Sequence, residues 1–139
     1  MAATTPAAFD PKPRSLNSQD FIAGAPILAG QSVALNGVAD WTVIPTVKGT
    51  TTQPVGVALY SQPTVGAKVA VAIVGSILKV CEANGAAITQ GTQVQDSTVS
   101  GCVQTAVAAA GAYMLGIALS GIPANGTGYV LVNPSAKST

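Results

Sequence analysis

The chain has no histidine, and its 139 residues include only 6 Lys/Arg and 5 Asp/Glu. Each shortage excludes something. Without His, the commonest general base and the commonest metal ligand are gone. The acids, Asp10, Asp20, Asp40, Glu82 and Asp96, are scattered with no paired spacing. No G-x-S-x-G, no Walker loop and no G-x-G-x-x-G ahead of a helix is present. No catalytic residue, metal site or cofactor is therefore expected, and the protein is read as a non-enzyme.

Cysteine is scarce too. Cys81 and Cys102 are too few for a zinc site and lack CxxC spacing. They could face each other on neighbouring strands and form a disulfide. The start, MAATTPAAFDPKPR, has neither the basic n-region nor the apolar h-region of a secretory signal, so two reduced thiols are expected instead.

Charge is the largest deficit. Charged residues make up 8% of the chain, against about 25% in an ordinary soluble domain. The net charge of +1 gives no strong pull toward nucleic acid or an anionic membrane, and neither is expected as a partner. A surface this poor in charge is either hydrated by Thr, Ser, Gln and Asn or covered by other chains. We read it as covered. Residues 97–136 carry no charge at all, which raises the question of a membrane span near 103–122. That stretch holds Gln104, Thr105, Gly111, Gly116 and Gly121, and it is rich in Ala rather than Leu or Ile. A soluble strand pair explains it better.

What is present is a repeat. PVGVALYSQPTVGAKVAV, from Pro54, aligns with MLGIALSGIPANGTGYVLV, from Met114. Gly56/Gly116, Ala58/Ala118, Leu59/Leu119, Pro63/Pro123 and Gly66/Gly126 are identical, and Val57/Ile117 and Val71/Leu131 are conservative. AGQSV and QGTQV extend the match upstream through Gly30 and Gly91. Gly30, Gly56, Gly66, Gly91, Gly116 and Gly126 are read as structural turn or bulge residues, Gly56 and Gly116 marking a close backbone crossing.

Short runs rich in Val, Ile and Thr, bounded by Gly, Pro, Asn and Ser, predict strands near 31–35, 41–47, 54–59, 68–74, 76–82, 92–95, 101–106, 113–119 and 128–133. Pro45 demotes its run to an edge or a bulge. The fold class is all-β: a small β-barrel or β-sandwich with an internal pseudo-twofold duplication, each copy supplying half of one barrel. Residues 27–134 form this domain and 135–139 a short C-terminal tail.

Residues 1–26 read differently. Pro6, Pro11, Pro13 and Pro26 remove backbone donors and fix φ, which predicts an extended arm. Twenty such residues span roughly 60 Å, enough to lie across a neighbour. Phe9, Leu16 and Phe21 are its candidate apolar anchors, Lys12 and Arg14 its charged contacts, and Pro11 and Pro13 its stiffeners.

The turn glycine with its G-x-x-V strand, the (V/I)-G-(V/I)-A-L strand, the G-x-(K/G)-V-x-V strand and the second round ending in LGIALSG…GTGYVLV resemble the head decoration, or capsid cement, proteins of tailed bacteriophages. The resemblance covers about residues 24–134. It implies a small β domain, usually trimeric, on the outside of the head between capsomers. The implied partners are the major capsid protein and neighbouring copies. The implied location is the virion surface, after assembly in the host bacterial cytoplasm. Two features depart from that pattern: Gln31 and Thr92 stand where many relatives have an acid, and the arm is long.

Two other classes stay open. A phage tail or host-surface attachment module would present an aromatic or acidic ligand patch, for which Trp41, Tyr60, Tyr113 and Tyr129 are the only candidates. A lipoyl- or biotinyl-type carrier domain would need Lys79 at a turn tip. Lys79 lies inside an apolar strand pattern, without the Asp-Lys or Met-Lys-Met signature, and is read as a solvent-facing strand lysine.

Overall fold

The computed structural model describes residues 17–107 and 113–135. These residues are all-β. Strands β1 (Ser18–Ala23), β2 (Ser32–Leu35), β3 (Thr42–Pro45), β4 (Pro54–Ala58) and β5 (Lys68–Ala72) close a barrel in the order β1-β3-β2-β4-β5. β1 completes it, parallel to β3 on one side and antiparallel to β5 on the other. Strands β6 (Ile77–Cys81), β7 (Gln93–Asp96), β8 (Val103–Thr105), β9 (Met114–Ala118) and β10 (Thr127–Ser135) form a second sheet, ordered β6-β10-β9-β7-β8.

The duplication is visible pair by pair. Val33 faces Gly56 as Val94 faces Gly116, and the same register shift follows in both copies. Ala58 faces Val71 as Ala118 faces Val130. The bridge between Ile27 and Gln62 repeats between Ile88 and Ile122. Strands β1–β5 thus correspond in order to β6–β10.

The two copies do not share one barrel, contrary to the expectation of half a barrel each. The first copy closes by itself because β1, drawn from residues counted with the arm, supplies its fifth strand. Ser18–Ala23 therefore belongs to the barrel and not to the segment 1–26 read as an arm. A second correction concerns the turn before the last strand of each copy. The register matches Val71 with Val130, not Leu131. The left-handed residue there is Gly66 (φ 90°) in the first copy but Asn125 (φ 57°), not Gly126, in the second. Ala67 N donates to Thr64 O as Gly126 N donates to Pro123 O, so Pro63 is the additional residue of the first turn.

Pro45 does not mark an edge strand. β3 lies between β1 and β2, but β1 pairs only with Thr42 and Val43. The missing N–H of Pro45 falls beyond that ladder, at the strand end.

Two apolar cores result. Phe21, Ile27, Val33, Val43, Val69 and Val71 fill the first. Leu78, Val80, Ile88, Leu115, Ile122 and Val130 belong to the second, into which Val57 and Ala72 of the first copy also reach. β5 is thus covered on both faces, Val71 facing one core and Ala72 the other. Backbone bonds stitch the copies together: Ser32 N donates to Gly101 O (2.9 Å), Gly101 N to Thr46 O (2.8 Å) and Lys48 N to Ser97 O (2.8 Å).

The two cysteines are not free thiols, as expected from the start of the sequence, but a disulfide, Cys81–Cys102. Cys81 ends β6 and Cys102 directly precedes β8. Their Cα atoms are 4.9 Å apart, close to the spacing of adjacent strands and within disulfide reach. The uncharged stretch 103–122 contains β8 and β9. Among the described residues no helix is long and apolar enough to cross a membrane.

Candidate contact surface and the seam between strands

Of the arm residues, Phe9, Pro11, Lys12, Pro13, Arg14 and Leu16 lie outside the described residues. Phe21 is a correction. The alternation of β1 turns Phe21 and Ala23 inward and leaves Ile22 outside. Phe21 is only 8% exposed and belongs to the first core. It anchors the barrel and has little surface left to offer a partner.

The β2–β3 hairpin carries the most conspicuous apolar surface. Val38 is 90% exposed and Trp41 60%. With Phe21, Leu35, Ala39 and Asp40 they line a shallow groove of about 460 Å³. Asn36 shapes the tip, its Oδ1 accepting the backbone N–H groups of Val38 (2.9 Å) and Ala39 (3.1 Å). Trp41 has φ 59°, a left-handed conformation that costs a bulky residue energy. Its counterpart is Gly101, φ 74°. A glycine suits that position, yet the first copy holds an indole there, tilted against Phe21 with ring centroids 5.8 Å apart. Tyr60 is exposed as well, whereas Tyr113 and Tyr129 are half-buried.

Gly56 and Gly116 lie where the strands cross most closely. A Cβ on Gly56 would overlap the carbonyl oxygen of Ala72, and one on Gly116 that of Leu131. Gly30 and Gly91 are equivalent turn residues: Gly30 N donates to Ala58 O as Gly91 N does to Ala118 O. Gln31, one of the departures from the expected acidic pattern, has a physical role. Its Oε1 accepts Leu28 N (2.9 Å) while its Nε2 donates to Ser100 O (3.3 Å), tying the copies together. A carboxylate could make the first bond but not the second.

Sequence reading passes over Glu82, one acid among five, yet its carboxylate is heavily bonded. It is 2% exposed. Its carboxylate accepts the backbone N–H groups of Asn84, Gly85 (3.1 Å), Ala86 (3.2 Å) and Asn125 (2.9 Å). Burial pushes its pKa up, but the four N–H donors outweigh burial and hold the carboxyl below its ordinary range. The available signal was CEANGAA, an acid followed at once by a turn of small residues. Asn84 extends the network, its Nδ2 donating to Gln104 Oε1 (2.6 Å) and its Oδ1 accepting Ser97 Oγ (3.2 Å).

Asp96 behaves in the opposite way. It is fully buried, its Oδ1 accepts Tyr113 N (3.0 Å), and its Oδ2 has no partner among the described residues. Burial raises its pKa, against the pull of that bond and of Lys48.

Lys79 is mid-strand, paired with Tyr129 and not at a turn tip. Its Nζ lies over the Tyr129 ring, 5.4 Å from the centroid. A carrier-domain lysine would stand at a hairpin apex, so that reading loses its geometric basis. Among the described residues no group of three or more His, Cys, Asp or Glu could hold a metal ion.

What the described residues present is an exposed apolar tip and a bonded seam between the copies. The family model described as phage cement protein matches residues 15–134. No curated protein matches the chain. Among solved structures, the N base of the head fiber gp8.5 of bacteriophage phi29 is similar in fold, with a TM-score of 0.63 at 14% identity, covering 88% of this chain and 98% of that one. A model match over most of the sequence, on an all-β duplicated domain with its own apolar tip, places this chain in the phage cement protein family.

Proposed function

We propose that this protein binds the outer surface of a phage head, as trimers between capsomers, and stabilises the capsid against heat and internal DNA pressure. The observation that carries this reading is the cement-family match over residues 15–134. The low charge and the exposed Trp41–Val38 tip support it, since both suit a protein whose surface is covered by neighbours. Its partners are the major capsid protein and neighbouring copies, with no nucleic acid, membrane or cofactor involved. It is assembled in the host bacterial cytoplasm and resides on the virion.

The N-terminal arm is the main grip. Phe9 and Leu16 are its apolar anchors, Lys12 and Arg14 its charged contacts, and Pro11 and Pro13 reduce its freedom before binding. The grip is mostly apolar, so added salt weakens it only slightly. The test removes residues 1–16 and no more, because Ser18–Ala23 is a barrel strand. Full-length and truncated proteins are added to heads that lack the protein, and the particles are imaged by electron microscopy. The expected result is threefold density with the full chain and greatly reduced decoration with the truncated one. Monomers at isolated positions away from threefold axes would sink the trimer. Equal decoration and equal heat protection by both proteins would sink the arm.

A second reading, a phage tail or host-surface attachment module, is favoured by two observations: one similar solved structure is the base of a head fiber, and this chain exposes Trp41 and Tyr60. It requires Trp41→Ala particles to keep their decoration but bind host cells less well.

A further inference from the structure

The internal repeat supplies its own control for the disulfide. In the first copy, Ile22 and Thr42 are partners across the parallel β1–β3 ladder. Ile22 N donates to Trp41 O (2.8 Å) and Gly24 N to Val43 O (2.8 Å), and these bonds close the barrel. In the second copy the strand register sets Cys81 in the place of Ile22, because Ile22 faces Lys68 as Cys81 faces Thr127. It sets Val103 in the place of Val43, since Leu35 faces Val43 as Asp96 faces Val103. Cys102 therefore stands where Thr42 stands. No β6–β8 pairing is formed, and the disulfide occupies that position.

We infer that Cys81–Cys102 is a redox-formed staple that closes the second sheet after folding, once the protein leaves the reducing compartment where it is made. The inference rests on the proposed assembly of this protein in a bacterial cytoplasm and its later release. The more exposed of the two cysteines is Cys81. It is half-buried and lines a cleft of about 270 Å³ with Leu78, Lys79 and Thr127, whereas Cys102 is buried. Lys79 lies two residues before Cys81 on the same face of β6.

The chemistry is thiol–disulfide exchange with a low-molecular-weight disulfide, RSSR. The Cys81 thiolate attacks one sulfur, forming a mixed disulfide and expelling RS⁻. The Cys102 thiolate then attacks the Cys81 sulfur, forming Cys81–Cys102 and expelling the second RS⁻. The two thiol protons go to the two leaving thiolates, so one protein dithiol and one RSSR become one protein disulfide and two RSH. The four ladders of the second sheet are backbone pairings that do not need the sulfur–sulfur bond, so the domain is expected to fold in both redox states. Oxidation adds constraint to the unfolded chain across a separation of 21 residues, which raises Tm by about 10 °C.

The test uses the full chain expressed alone in a bacterial cytoplasm. Cells are quenched in trichloroacetic acid, the precipitated chain is alkylated with iodoacetamide in urea so that the buried Cys102 is reached as well, and the intact mass is measured. The expected result is two carbamidomethyl groups per chain. Protein purified without alkylation and exposed to oxidised glutathione should weigh two hydrogens less than the dithiol and melt about 10 °C higher than its reduced form. The Cys81→Ser/Cys102→Ser variant should melt like the reduced protein and ignore dithiothreitol. Should that variant fail to fold, the wild-type comparison with and without dithiothreitol still decides. A chain that takes up no carbamidomethyl group even after acid quenching and denaturation was already oxidised inside the cells, and that result overturns the staple. Oxidised and reduced proteins with the same Tm overturn it equally. Neither readout needs phage heads, so a failure to decorate heads would strike the proposed function and leave this result standing.

Discussion

The two copies of the repeat solve one problem by different means. Each folds five strands in the same order, with the same close crossing at Gly56 or Gly116 and the same turn glycine at Gly30 or Gly91. The first copy seals its last seam with β1 against β3. Two backbone hydrogen bonds there contribute about 1 kcal/mol each, and Phe21 and Trp41 pack beside them. The second copy omits the strand pairing and substitutes a disulfide, with Glu82 organising the loop that follows. A cross-link over this separation contributes about 3 kcal/mol, so one covalent bond can stand in for a short ladder. The lesson is that closure is the conserved requirement within this chain, while the means of closure is free to differ. The open tip differs for a related reason. Gly101 lies buried between the copies, where Gln31 leaves no room for a Cβ, whereas its counterpart Trp41 faces outward.

The sharpest test of equivalence lies at the crossings. Gly56→Val and Gly116→Val should each cost about 4 kcal/mol or more, because the new atoms meet backbone carbonyls that cannot yield. Urea unfolding measures both. If one is tolerated and the other is not, the copies are not mechanically equivalent.

The next effect belongs to the second copy alone. Glu82→Ala leaves four backbone N–H groups without their acceptor and should cost on the order of 3 kcal/mol. Its pH dependence has a definite sign. The folded carboxyl titrates below its ordinary range, so its contribution is complete above the unfolded pKa and is lost as pH falls through the folded one. Wild type and Glu82→Ala should therefore converge in stability in acid, as thermal melts across pH will show.

Asp96 should move the other way. Its folded pKa is raised, so the folded state holds the proton more tightly and stability falls as pH rises through the carboxylate range and above. Asp96→Asn keeps an acceptor for Tyr113 N and removes the buried charge. It should raise Tm by a few degrees at neutral pH, with the gain shrinking toward acid. A constant gain at all pH values would mean that the charge is not the cause.

The smallest effect separates the exposed strand pairs. Asp20 and Lys68, the one ion pair among the described residues, lie 3.7 Å apart with both side chains mostly in water. The corresponding pairs of the second copy hold Lys79 against Tyr129 instead. Asp20→Asn should change stability by less than about 0.5 kcal/mol, measured in the same urea series.

Much of this protein was written locally. The runs of Val, Ile and Thr placed nine of the ten described strands, and the repeated glycines marked where backbones cross, because side-chain alternation and φ depend on a residue and its near neighbours. β1 escaped notice because SQDFIA follows a proline-rich segment and is only half apolar; its place is set by β3 and β5, distant in sequence. Glu82 read as one scattered acid, since its four donors come from two separate loops. Cys81 and Cys102 were legible as a possible pair but not as an actual one. Composition and compartment argued for thiols, while the pairing depends on β6 and β8 arriving side by side. Local pattern determined which residues extend, turn and face inward. Only the tertiary fold decided which edges meet, and the closing bonds of both copies form at those meetings.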